Sequence, residues 1–154
     1  MTDGAAAVLL MRRDVAKKMG MKVLARIVSY AVAGVPPEIM GIGPALAIPA
    51  ALKKSGLSMN DIDVFEINEA FASQATYCVD KLGVPREKLN PRGGAIALGH
   101  PLGMTGARMI VTMFHELERR QKKYGVVSMC IGTGMGACGI FEREWVNLIE
   151  ILKI

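Results

Sequence analysis

Short apolar runs alternate along this chain with stretches of helical spacing, and glycine marks many of the changeovers. Residues 5–11, 23–32, 63–68, 94–98, 126–130 and 137–142 read as strands, the first an unbroken apolar run of the kind buried on both faces of a sheet. Residues 12–19, 45–54, 69–82 and 104–120 read as helices, the first three ended by Gly20, Gly56 and Gly83. Strands that take turns with helices predict an α/β layered fold in which helices cover a mixed sheet.

Composition narrows the classes that fit. With 154 residues, 51% of them apolar, the chain can bury one substantial core. The net charge of +5 sits largely in Arg12, Arg13, Lys17 and Lys18 and in Arg119, Arg120, Lys122 and Lys123, at helix ends. Solvated helix ends explain it, and a phosphate-bearing coenzyme is the second reading. No interleaved aromatic pattern suits nucleic acid. Three cysteines without regular spacing make neither a disulfide framework nor a zinc site and fit a reducing compartment. No apolar run approaches the ~20 residues of a membrane span, and the amino terminus lacks the shape of a secretory signal. A nucleotide loop fits poorly, because no GxGxxG follows the first strand.

Three short segments carry chemistry. His100 lies between Gly99 and Pro101 in a glycine-rich turn, where its ring can face a ligand or serve only to hold the turn. Cys130 closes an apolar strand before Gly132, Thr133, Gly134 and Gly136. It is either a small core thiol or a proton carrier whose thiolate nearby backbone N–H groups favour. Asn68 ends a strand before Glu69, Ala70 and Phe71 and either caps the next helix or orients a water or carbonyl oxygen. Glu69 is support for that arrangement or an alternative acid. Cys78, Cys138 and the mid-helix His115 read as structural or surface residues.

In order and spacing, the runs 66–72, 90–103 and 130–136 resemble the carboxy-terminal half of thiolases, and residues 1–7 and 40–44 match as well, so the likeness covers about residues 1–143. The segments 29–49 and 128–136 are most similar to those of peroxisomal 3-ketoacyl-CoA thiolases.

The resemblance implies a thiolase-like layered α/β fold with a mixed five-stranded sheet: residues 1–22 as the end of the amino-terminal domain, 23–143 as the carboxy-terminal domain and 144–154 as an atypical tail that could be a short surface helix. It implies that His100 activates a nucleophilic cysteine and helps bind the thioester oxygen, that Asn68 holds a water in the same oxyanion hole, and that Cys130 is the general acid/base. Gly132 would lend an N–H to a second oxyanion hole, and Met40 and Phe71 would line the acyl and pantetheine end. The implied activity is thiolytic cleavage of 3-ketoacyl-CoA in fatty acid β-oxidation, with coenzyme A as substrate, no separate cofactor or metal, a homodimeric full-length enzyme and a peroxisomal location. The nucleophile belongs to the amino-terminal half, whose last strand is where this chain begins. The expectation is therefore a fragment inactive alone, exposing apolar surface that the other half would cover, with a second reading as an inactive fragment that acts only by associating with other subunits.

Overall fold

The computed structural model describes residues 2–144. Four strands, β1 (Ala25–Gly34), β2 (Val64–Ile67), β3 (Tyr124–Ile131) and β4 (Met135–Arg143), form one mixed sheet in the order β1-β4-β3-β2. The β2–β3 pair is parallel, and β4 runs antiparallel to both β3 and β1. Helices α1 (Arg13–Lys18), α2 (Gly43–Ser55), α3 (Ala72–Leu82), α4 (Ala95–Leu98) and α5 (Thr105–Arg119) complete the described residues together with short 3-10 turns.

Both faces of the sheet are covered, which explains why adjacent apolar residues such as Val126 and Val127 in β3 and Ile140 and Phe141 in β4 are all buried. On one face Ala47, Ile48, Ala51 and Leu52 of α2 and Val79 of α3 pack with Phe65, Ile67, Val126, Cys138 and Ile140. On the other, Met109, Met113 and Leu117 of α5 pack with Val64, Val127 and Phe141. Adjacent residues of β2 and β3 thus serve opposite cores, as strand alternation requires. Glycines Gly56 and Gly83 end α2 and α3 in the left-handed region, as their positions predict.

Two of the six expected strands are absent. Residues 5–11 have no regular structure, and Leu9 and Leu10 are 71% and 68% exposed. A strand needs a ladder partner, and none of the described strands lies beside this segment. The residue just before it lies against the turn after His100: a Cβ at Gly4 would lie 2.7 Å from the Met104 methyl and 2.8 Å from Pro101. Of residues 94–98, Ala95–Leu98 form α4 and Gly94 is its N-cap, because alanine and leucine favour helix and the Glu69 carboxylate accepts from the Ile96 N–H at 3.1 Å at its start.

The sheet is accordingly four-stranded rather than five-stranded. Its β2 edge is finished by one parallel bridge, Phe65 to Leu89, and by a side chain that imitates a strand. The Asn90 amide oxygen accepts from the Ile67 N–H at 2.9 Å, while its nitrogen donates to the Ile67 carbonyl at 2.9 Å and to Glu69 at 3.2 Å. The tail segment 145–154 lies outside the described residues, and no helix among those described is long and apolar enough to cross a membrane.

Candidate active site

Asn68 and Cys130 arise at the same end of the sheet. They follow the parallel partners Ile67 and Ser128, and the Asn68 N–H donates to the Ser128 carbonyl at 2.9 Å. The carboxyl ends of neighbouring parallel strands are where α/β folds open a crevice for ligands.

Asn68 is buried, at 1% exposure, and its amide nitrogen lies 3.2 Å from His100 Nε2. The opposite ring nitrogen, Nδ1, is 2.7 Å from the Thr105 hydroxyl at the start of α5, and that hydroxyl donates to the Pro101 carbonyl at 2.9 Å. His100 is therefore gripped at both nitrogens. The turn that delivers it is shaped by Gly99 at φ +88°, where a side chain would also collide with Thr2.

A separate groove of about 460 Å³ runs beside Cys130. Met40 and Phe71 line it with the thiol, as do Gln74 and Tyr77 of α3. Gln74 organises this wall: its side-chain oxygen accepts from the Ala70 N–H at 3.1 Å, and its nitrogen donates to the Gly41 carbonyl at 3.2 Å. Gly132 lies beyond Cys130 in the exposed turn joining β3 to β4, with open space where a Cβ would be. A hollow of about 570 Å³ between residues 2–6 and 101–104 contains none of the expected site residues.

The expectation that the glycine turn favours the Cys130 thiolate is reversed. Burial pushes the thiol above its ordinary value, and the backbone hydrogen bond at Cys130 offsets only part of that. Burial also raises Cys78 and drives Cys138 up to about 12, in keeping with core thiols, and His115 is exposed. Glu69 accepts from Asn90 and from the Ile96 N–H, which makes it support for the site. Its carboxylate also fills the space a Cβ at Gly94 would need.

The chain resolves three residues whose importance was not legible as such. Thr105 holds His100, Asn90 holds the strand before Asn68, and Glu66 pairs with Arg108 beneath both. A lone acid inside a strand buried on both faces is the one sequence signal that could have flagged Glu66. Among the described residues no cluster of three or more His, Cys, Asp or Glu side chains could hold a metal ion.

The sequence profile described as "Thiolase, C-terminal domain" matches residues 21–143. The chain belongs to the thiolase family. It is 70% identical to peroxisomal 3-ketoacyl-CoA thiolase B of Rattus norvegicus over 142 residues, covering 92% of this chain and 34% of that protein. The peroxisomal 3-ketoacyl-CoA thiolase of Homo sapiens is 66% identical over the same length, with the same coverages. Among solved structures, the dimeric peroxisomal thiolase of Saccharomyces cerevisiae superposes with a TM-score of 0.81 at 61% identity, covering 86% of this chain and 34% of that one. The human mitochondrial 3-ketoacyl-CoA thiolase gives 0.84 at 50% identity, with the same coverages. The chain thus spans about a third of the length of the thiolases it matches.

Proposed function

We propose that this chain supplies the acid/base half of an acetyl-CoA C-acyltransferase site that cleaves 3-ketoacyl-CoA by thiolysis. The observation that carries the reading is the Asn68–His100 contact at the end of β2 beside Cys130 at the end of β3, in a chain 70% identical to a peroxisomal 3-ketoacyl-CoA thiolase. Residues 1–22 are taken as the end of the amino-terminal domain, residues 23–143 as the carboxy-terminal domain and residues 144–154 as an atypical tail.

In this reading an amino-terminal half, on the same polypeptide or on another, brings the nucleophilic cysteine. Cys78 and Cys138 are both buried core thiols and are not candidates. His100 takes the nucleophile's proton, and the thiolate attacks the 3-keto carbon. His100 and a water held by Asn68 bind the thioester oxygen as the bond between the α and β carbons breaks, and an enolate of acetyl-CoA departs. Cys130 protonates that enolate. Its own thiolate then takes the proton of incoming coenzyme A, whose sulfur attacks the acyl-enzyme, and the released cysteine recovers its proton from His100. The raised Cys130 thiol suits the first of these transfers, since it must arrive carrying a proton. Gly132 donates an N–H to a second oxyanion, and Met40 and Phe71 flank the acyl and pantetheine groups in the groove. The names of the relatives support a peroxisomal location, and the dimeric yeast thiolase supports a homodimeric whole enzyme.

The test is reconstitution. The chain is mixed with an amino-terminal half made from a matched thiolase, and cleavage of acetoacetyl-CoA is followed at the enolate absorbance. We expect no turnover by either piece and turnover by the pair. An inert pair that nevertheless co-purifies would favour a non-catalytic associating fragment instead.

A further inference from the structure

The function proposed above asks His100 to begin its cycle as a base, and the structure offers a reason why the correct nitrogen carries no proton. We infer that Thr105 is a positioning residue that fixes His100 as the Nδ1–H tautomer, with the Nε2 lone pair turned towards Asn68.

The argument follows the protons. Thr105 is fully buried, and its hydroxyl has one hydrogen to give. That hydrogen goes to the Pro101 carbonyl at 2.9 Å, one turn back along the chain. The hydroxyl oxygen can then only accept from His100 Nδ1, 2.7 Å away, so the ring proton sits on Nδ1. Nε2 is left as an acceptor, matched to the Asn68 amide nitrogen at 3.2 Å.

The opposite chain of bonds is disfavoured at its far end. If Thr105 donated to Nδ1, Nε2–H would need the Asn68 amide turned over, which would put a two-hydrogen donor where the unpartnered Asn68 carbonyl oxygen now lies. Orphaned buried N–H groups are rarer than under-used carbonyl oxygens, so the Nδ1–H arrangement leaves the smaller deficit. A partner at the remote imidazole nitrogen is also how hydrolytic triads hold their histidine tautomer.

The chain contains only two histidines, so nitrogen-15 spectra of histidine-labelled protein are simple to assign with a His115→Gln variant. At pH 8 we expect His100 Nδ1 in the protonated, pyrrole-like region and Nε2 in the pyridine-like region. Thr105→Val, of nearly the same shape, should shift both signals towards the tautomer mixture of a free imidazole, whereas Thr105→Ser should restore the wild-type pattern. An Nε2–H signature in the wild-type chain overturns the inference without any variant, and an unchanged pattern in folded Thr105→Val overturns it as well. In the reconstituted pair, Thr105→Val should lower kcat by roughly tenfold or more with KM little changed. If the tautomer behaves as expected while the wild-type pair is inert, the catalytic reading fails and the role of Thr105 stands.

Discussion

Glu66 and Arg108 meet at 3.2 Å beneath the candidate site, one two residues before Asn68 and the other three residues after Thr105. The pair ties the strand that presents Asn68 to the helix that holds His100. It is costly to keep. The Glu66 side chain is buried, and one of its oxygens has no hydrogen-bond partner. Burial pushes its carboxyl up to about 7, against the opposing pull of Arg108 and with smaller pushes from Glu116 and Glu69.

A pH dependence of stability follows, with its sign fixed by that shift. Because the folded value of about 7 lies above the ordinary 4.5, protonated Glu66 favours the fold. This contribution is whole below pH 4.5 and is lost as pH rises through 7. Glu116 behaves in the opposite way. Hydrogen bonds from Arg119, Arg120 and Arg92 hold it down to about 2, so its contribution is present above pH 4.5 and fades towards pH 2. Urea unfolding of the chain should show about 2 to 3 kcal/mol less stability at pH 8 than at pH 5 from Glu66. Glu66→Gln should flatten that decline and leave the acid limb in place. A decline of wild-type size in the variant would contradict the assignment.

The division of labour proposed for His100 and Cys130 is measurable in a reconstituted enzyme. Cys130→Ala should abolish exchange of the acetyl α protons with solvent deuterium while the nucleophile can still be acylated. His100→Ala should slow acylation itself, by roughly a hundredfold or more. Equal losses of both steps in both variants would refute separate roles.

Asn90 offers a purely structural test. Its side chain satisfies both the N–H and the carbonyl of Ile67, and its backbone φ of +39° is one that asparagine tolerates better than alanine. Asn90→Ala should cost about 2 to 4 kcal/mol in urea unfolding, since two buried backbone groups lose their partners. Hydrogen exchange at the Ile67 amide should quicken more than at Val126 in the neighbouring strand. Unaltered protection at Ile67 would show that the bridge through Asn90 carries little.

Much of this arrangement was visible in residue order. The periodicity of α2, α3 and α5 and the apolar runs of β2 and β3 follow from local pattern, because those elements bury the faces that the pattern describes. Residues 5–11 carry the same apolar signal without a neighbouring strand to pair with, and pattern says nothing about partners. Residues 94–98 read as a strand but form a helix, and the carboxylate that meets its first turn comes from 27 residues away in sequence. The same limit applies to the site. Asn68 and His100 could each be placed at a turn, but the 3.2 Å between them and the hydroxyl behind the ring belong to packing, and neither leaves a mark in spacing. The Cys130 environment was misread because a glycine turn suggests open amides, whereas the thiol itself is half-buried.

Gly43 begins α2 just after the segment bearing Met40, and Gly136 is the cross-strand partner of Cys130. A Cβ on Gly43 would lie 2.6 Å from the Gly136 Cα and 2.7 Å from its nitrogen, so the two backbones touch with no side chain between them. One wall of the groove and the thiol beside it are consequently a single rigid casting. In the proposed enzyme, a bulkier acyl chain would find no room by spreading that seam. Phe71 and Tyr77, which line the same groove, are exposed instead, so under the function proposed above those two rings, rather than the floor on which Cys130 stands, are where substrate size would be tuned.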